Sequence, residues 1–211
     1  MRYIDIDTWN RREYFTAYVG KDFPYISLSA DIDITELVSF CKKKGFSSYL
    51  ALIHTAHRVA GSIENFRFRT VDGRPVLFDE MGVTFTYRPE DAELFVNVVV
   101  PFADDLKRFQ QIAQEGIARQ GSDPGFAGLL GRPDLIYYSA LPWVRYTHLI
   151  RTIGHLGIDT CPKISWGKYF EQGERTLVTF SVQVHHGLMD GYHVGKYYEM
   201  VQLALDEFRE E

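Results

Sequence analysis

Two periods organise the hydrophobic and polar positions of this chain. Val178, Phe180, Val182 and Val184 alternate with Thr179, Ser181, Gln183 and His185. That two-residue alternation is the signature of a strand with one apolar face, and it predicts a strand from Thr176 to His186. The same reading gives strands at Tyr25–Ile32, Val76–Phe78, Val83–Tyr87, Glu93–Val100, Leu135–Ala140 and Val144–Ile150. Asp72-Gly73, between Phe68 and Val76, is a hairpin turn pair. Helical spacing marks five further segments. Asp7 and Thr8 stand where they could cap a helix to about Val19. Asp33 precedes Ile34–Lys44, which closes on Lys42, Lys43, Lys44 and Gly45, the positive charge and glycine that suit a helix C-terminus. Ser47 and Ser48 open a helix to about Ala60. Leu106, Phe109, Ile112 and Ile117 form one side of a helix over 103–120, and a last helix runs from near Asp190 to about Arg209. Helices and strands do not alternate regularly, which argues against repeated βαβ units. The expected fold class is α+β: a single two-layer domain over residues 1–211, a mixed β-sheet with helices packed on it.

Composition narrows the function. The 23 basic and 28 acidic residues leave a net charge of -5, the wrong sign for general nucleic-acid binding. The longest apolar run, Leu94–Phe102, is too short to span a membrane. The first residues contain no apolar signal core, and Cys41 and Cys161 are too few for a disulfide framework. A cytoplasmic setting is the simplest expectation. Aromatic residues reach 15%, so large rings must fill a core, a pocket or an interface.

The chemistry concentrates where the last predicted strand ends. By strand parity His186 falls on the apolar side and His185 on the polar side with Gln183. His186, flanked by Gly187, should sit half-buried at a cleft, where an imidazole can act as general base. A structural pair of hydrogen-bonded histidines is the plainer alternative. A metal site built from His185, His186 and His193 is disfavoured, because adjacent strand residues point apart. His54 and His57, three apart on a helix, have no acidic or cysteine partner nearby in sequence, so packing is the expected role. Neither a GxGxxG motif nor a P-loop is present.

His185-His186-Gly187-Leu188-Met189-Asp190-Gly191 has the form HHxxxDG, followed by Tyr192, His193 and Val194. This resembles the active-site signature of the chloramphenicol acetyltransferases, within the wider HxxxD family of CoA-dependent acyltransferases. The resemblance extends along the chain. Asp5 to Phe15 resembles the opening DxxxWxRREHF, Asp31 to Thr35 the next helix start, Ser139 to Val144 a SALPWV stretch, and Ser165 to Tyr169 a TMxKY stretch.

The resemblance implies acetyl transfer from acetyl-CoA, without a metal, to a hydroxyl of chloramphenicol or a similar small molecule. It assigns His186 as base and pairs Asp190 with Arg11 to hold the loop. Ser139 becomes the oxyanion donor, and Ser165 the hydroxyl that binds a supporting water. Lys168 and Trp143 fall beside CoA, and Tyr18, Phe95 and Phe126 on the acceptor pocket. It also implies a homotrimer with active sites between subunits. The pocket departs from the family: Ala17 replaces an aromatic, and Arg151 and Lys163 stand where aliphatic side chains are usual. Those cations favour a different acceptor or acyl group as the first rival reading. A non-catalytic CoA-binding or assembly protein is the second.

Overall fold

The computed structural model describes residues 1–154 and 159–210. Among these the elements run β1 (Arg2–Tyr3), α1 (Arg12–Tyr18), β2 (Tyr25–Asp33), α2 (Thr35–Lys44), α3 (Ser48–Ser62), β3 (Phe68–Val71), β4 (Arg74–Leu77), β5 (Gly82–Tyr87) and β6 (Val96–Val100). There follow α4 (Leu106–Gln120), β7 (Leu135–Ala140), β8 (Lys163–Trp166), β9 (Phe170–Gln172), β10 (Arg175–His185) and α5 (Gly191–Asp206), with a 3-10 turn over Glu207–Glu210.

The main sheet has seven strands among the described residues, in the order β2-β10-β8-β7-β5-β6, with β9 beside the start of β10. It is mixed: β5, β7 and β8 are parallel, and the other pairs are antiparallel. The helices cover one face. Ile32, Phe85, Val98, Tyr138, Ile164, Trp166, Val178, Phe180, Val182 and Val184 point into that core, and all are buried. Trp166 and Phe180 stack at 6.0 Å between centroids. Burying each such side chain contributes about 1.5–3 kcal/mol. The α+β expectation holds.

Local chemistry explains most boundaries. Ser47 Oγ accepts from Leu50 N at the start of α3, and Asp105 Oδ1 from Arg108 N at the start of α4. Gly45 ends α2 at φ 71°, a conformation glycine adopts without steric cost. Asp72 and Gly73 turn the β3–β4 hairpin with φ of 50° and 75°.

Several boundaries differ from the sequence reading, among them the start of α4 at Leu106 and the end of α5 at Asp206. The first helix begins at Arg12, because Ile4 to Arg11 form separate turns: Asp5 Oδ1 accepts from Asp7 N, and Asp5 O accepts from Thr8 N. Trp9 is thereby packed against Phe15 and Phe68 in a second, smaller core with Leu77 and Leu188. The strand expected from Glu93 starts at Val96.

The expected strand Val144–Ile150 is irregular. It lies across the polar face of β10 and β2, and side chains of that face hold it in place of a ladder. Ser181 Oγ donates to Tyr146 Oη at 3.0 Å, Tyr146 Oη donates to the Ser165 carbonyl at 3.2 Å, and Ser27 Oγ donates to the Leu149 carbonyl at 3.0 Å. The strand beside β10 is instead the four-residue β8, too short to stand out by period. No described helix is long and apolar enough to cross a membrane.

Candidate active site

Strand β10 makes its last cross-strand pair at His185, opposite Tyr25. The strand then stops, so parity does not govern His186. His186 is half-buried, as expected at the strand end, whereas His185, placed by parity on the polar side, is the more deeply buried of the two at 2% exposed. His186 N still donates to the Pro24 carbonyl at 2.8 Å, and its ring stacks on Tyr18 with centroids 4.3 Å apart.

Backbone partners give the two histidines opposite tautomers. His186 Nδ1 lies 3.2 Å from the Met189 carbonyl. A carbonyl only accepts, so Nδ1 carries a proton, and in the neutral ring the lone pair is on Nε2. In His185 the ring nitrogen Nδ1 accepts from Gly187 N at 3.1 Å, so its proton is on Nε2. That atom is buried without a hydrogen-bond partner among the described residues. Burial, and then the neighbouring His186, depress the His185 pKa to about 4. His185 is thus a neutral, fixed support for the turn that presents His186.

The loop after His186 is closed by Arg11, from the segment just before α1. Arg11 Nη1 donates to Asp190 Oδ2 at 3.2 Å and Nη2 to the His186 carbonyl at 3.3 Å. The Arg11 side chain is 10% exposed and that of Asp190 32%. Asp190 Oδ1 also accepts from Tyr192 N and lies 2.9 Å from His193 Nδ1, capping α5. Burial raises the Asp190 pKa, but Arg11 and His193 outweigh it and hold the group below its ordinary value. Among the described residues no hydrogen bond joins Asp190 to the His186 ring; Asp190 fixes the loop. Asn65 Nδ2 adds a bond to the Leu188 carbonyl at 2.9 Å.

The hydroxyl candidates lie elsewhere on the sheet. Ser139 on β7 pairs across to Ser165 on β8, Ser165 to Ser181 on β10, and Ser181 to Ser29 on β2. Thr86 extends the row, with its Oγ1 2.9 Å from Ser139 Oγ. The result is a line of hydroxyls across the face opposite the helices. From Ser181 to His186 the chain advances about 17 Å, and from β10 to β7 it crosses two strand spacings, about 10 Å. His186 and Ser139 of one chain are therefore roughly 20 Å apart by that geometry. One chain brings together His186, Tyr18, Arg11 and Asp190. It brings together Ser139 and Ser165 separately.

Lys168 lines a cleft of about 430 Å³ with Tyr49, Ala140, Pro142 and Trp166, directly beyond Ser139 and Ser165. Trp143 is 67% exposed, which excludes core packing, and the Arg88 guanidinium lies 5.7 Å from its ring centroid. Phe95 and Phe126 are exposed and share a largely apolar cleft of about 490 Å³. Tyr18 is not part of that lining.

The remaining candidates separate cleanly. His54 Nε2 lies 2.8 Å from the Asp104 carbonyl, and the two ring nitrogens of His57 face Tyr138 Oη and the Met81 carbonyl, each at 3.1 Å. Both rings pack on Phe102. No cluster of three or more metal-binding side chains occurs among the described residues. Lys163 is buried but paired, its Nζ 2.6 Å from Asp159 Oδ2. Arg151 Nη1 reaches Ser165 Oγ at 3.5 Å. Sequence reasoning missed Thr86, Tyr146 and Gln183. Gln183 receives the Arg151 N–H on Oε1 at 2.7 Å and donates Nε2 to the Arg151 carbonyl. Its place among the polar positions of β10 was the one available signal.

The mixed sheet, with an imidazole-bearing loop closed by an Arg–Asp pair at a strand end, defines the class of CoA-dependent acyltransferases. Within that class the chain belongs to the chloramphenicol acetyltransferase family, whose model matches residues 1–202. A chloramphenicol acetyltransferase from Clostridium perfringens is 31% identical over 201 residues, 94% of this chain and 92% of the other. One from Escherichia coli is 28% identical over 206 residues, 98% and 94% of the two chains. A solved structure of a chloramphenicol acetyltransferase superposes with a TM-score of 0.90 at 26% identity, covering 97% of this chain and 99% of that one.

Proposed function

We propose that this protein transfers the acetyl group of acetyl-CoA to a hydroxyl of a small acceptor, chloramphenicol or a similar molecule, with His186 as general base. The observation that carries this reading is the Nδ1–H of His186 bonded to the Met189 carbonyl. It leaves Nε2 as a basic lone pair on a ring held by Tyr18, and it needs no change of tautomer to act.

In this reading Nε2 takes the proton of the acceptor hydroxyl as its oxygen attacks the thioester carbonyl. Ser139 donates its O–H to the oxyanion of the tetrahedral intermediate, and Ser165 supports it through water. Such a donor is worth about 10² to 10³ in rate. Collapse breaks the C–S bond, and the departing thiolate recovers the proton from Nε2, giving the acetyl ester and free CoA. Lys168 and Trp143 flank the CoA side, where a cation suits a phosphate. Phe95 and Phe126 wall the acceptor from one copy, and Tyr18, stacked on His186, from the other. No metal enters the scheme.

The separation of His186 from Ser139 supports a site shared between two copies, His186 from one and Ser139 from its neighbour, as in a homotrimer. The test is thiol release from acetyl-CoA with chloramphenicol and a panel of hydroxyl acceptors. His186→Ala and Ser139→Ala should each abolish most turnover. Co-refolding the two inactive variants should restore about a quarter of the sites, the fraction that receives both intact residues in a closed ring. No restored activity would sink the shared site. No thiol release with any acceptor would sink the transferase reading.

A further inference from the structure

The polar face carries a cation that its surroundings do not neutralise. This cation is Arg151, which is half-buried; the more deeply buried cations are satisfied. Arg69, fully buried, donates to the carbonyls of Pro133, Phe66, Phe68 and Leu135. Lys163 holds Asp159, whose carboxylate also accepts from Gly154 N and Cys161 N. Arg151 has no carboxylate within salt-bridge distance among the described residues, and residues 155–158 contain no acid. Its one side-chain bond among the described residues is the long contact to Ser165 Oγ. Two cations against one carboxylate leave a net single positive charge beside Ser165.

The position of this charge is defined. Gln183 clamps the Arg151 main chain on both N–H and carbonyl, and Gln183 pairs across β10–β8 with Lys163. The arginine therefore sits toward the start of β8, and its guanidinium points along the strand to Ser165. The Lys168 cleft lies at the other end of β8, past Trp166. The hydroxyls of Ser139 and Ser165 stand between the two. If CoA occupies the Lys168 end, the Arg151 end belongs to the acceptor. A guanidinium left partly desolvated without a counter-ion is costly, and its planar fork matches a carboxylate better than any neutral group. Burial accordingly pulls the Arg151 pKa below its ordinary value; a bound anion would offset that.

We infer that the acceptor is a small hydroxyl-bearing carboxylate, whose anionic group Arg151 binds beside Ser165 while its hydroxyl meets His186 of the partner subunit in the shared site. The assignment of sides rests on the acetyl-transfer reading above; the unneutralised charge does not. Arg151 is a specificity residue here, and a neutral acceptor such as chloramphenicol is a poorer fit.

The experiment uses the full chain, acetyl-CoA and two matched acceptor pairs: para-hydroxymethylbenzoate against para-benzenedimethanol, and β-hydroxybutyrate against butanediol. The readout is the ratio of kcat/KM for the carboxylate to that for the alcohol, in wild type, Arg151→Leu and Arg151→Lys. The clamp by Gln183 uses main-chain atoms, so both variants keep it. Wild type should favour the carboxylate of at least one pair by about 10- to 100-fold, the range of a charged hydrogen-bonded contact. Arg151→Leu should abolish that preference, and Arg151→Lys should restore part of it. A wild type that uses the alcohols as well or better, or a leucine variant that changes both members alike, overturns the inference.

Thermal unfolding with each carboxylate alone separates this result from failure of the parent reading. If no acceptor is acetylated but a carboxylate raises Tm in wild type and not in Arg151→Leu, the anion site stands and the transferase reading falls. If no carboxylate raises Tm and none is acetylated, the anion site falls too. A leucine variant that lowers the assembly state without moving the ratio assigns Arg151 to a contact between copies, and the inference is withdrawn.

Discussion

The two faces of the main sheet are buried to a similar degree along β10 and built from opposite chemistry. Val178, Phe180, Val182 and Val184 meet the helices, and Thr179, Ser181, Gln183 and His185 face the other side, where Ser181 bonds Tyr146 of the irregular segment and Gln183 bonds Arg151 just after it; all eight are buried. The apolar face gains from area removed from water. The polar face requires a partner for nearly every group. Thr179 Oγ1 donates to Asp31 at 2.7 Å, Ser181 Oγ is 2.7 Å from Ser29 Oγ, and Gln183 is bonded at both ends of its amide. Burial alone therefore does not mark a core position in this protein. The helix-covered face supplies stability. The opposite face and the strand end beside it hold the groups that could act on a substrate. Substitutions should divide accordingly, and each prediction below attacks that division.

The largest expected effect is at His186. His186→Ala should lower kcat by roughly 10² to 10⁴ with Tm near wild type. His185→Ala should lower Tm instead, because it empties a buried site and releases Gly187 N. Equal loss of activity in the two variants at preserved stability would erase the distinction. On the helix-covered face, Phe180→Ala should cost about 3–5 kcal/mol in urea unfolding, with kcat per folded molecule retained. A large kcat loss there at unchanged stability would break the comparison from the other side.

Acid should weaken both faces. Burial depresses His57, on the helix side, and His185, on the polar side, to about 4 each from the ordinary 6.5. Between those values the unfolded chain holds a proton that the folded chain does not. The stabilisation is whole above about pH 6.5 and is lost as pH falls toward 4, on the order of 3 kcal/mol for His57. His57→Gln should flatten the stability profile between pH 7 and 4. An unchanged slope would show that the ring is not held neutral. The smallest effect expected is for Asp190→Asn. Asparagine still caps a helix, and Asp190 is about a third exposed, so losing the charge opposite Arg11 should cost about 1–2 kcal/mol. Activity should fall with it, because the same pair positions the His186 loop. Wild-type Tm and rate together would remove the pair from the argument.

The sequence by itself determined what a few consecutive residues encode. Alternation in 176–185 marked β10, Asp72-Gly73 marked the β3–β4 hairpin, Lys42 to Gly45 marked the end of α2, and the resemblance pointed to His186 and Asp190 through the HHxxxDG string and to Arg11 through the Asp5–Phe15 stretch. Strand β8 was not legible, because four residues carry too little period and its neighbours come from distant parts of the chain. Residues 144–150 alternate well enough to resemble a strand, yet side chains of β10 and β2 bond them instead of a ladder. The same limit governed the site. Tautomers of His185 and His186 depend on whether a carbonyl or an N–H faces Nδ1, and the fates of Lys163 and Arg151 depend on which of them reaches Asp159. The distance from His186 to Ser139 depends on strand order. Period, turn chemistry and caps are short-range properties of the chain; register, counter-ions and proton positions are set by residues far apart in sequence, and only the folded sheet brings those together.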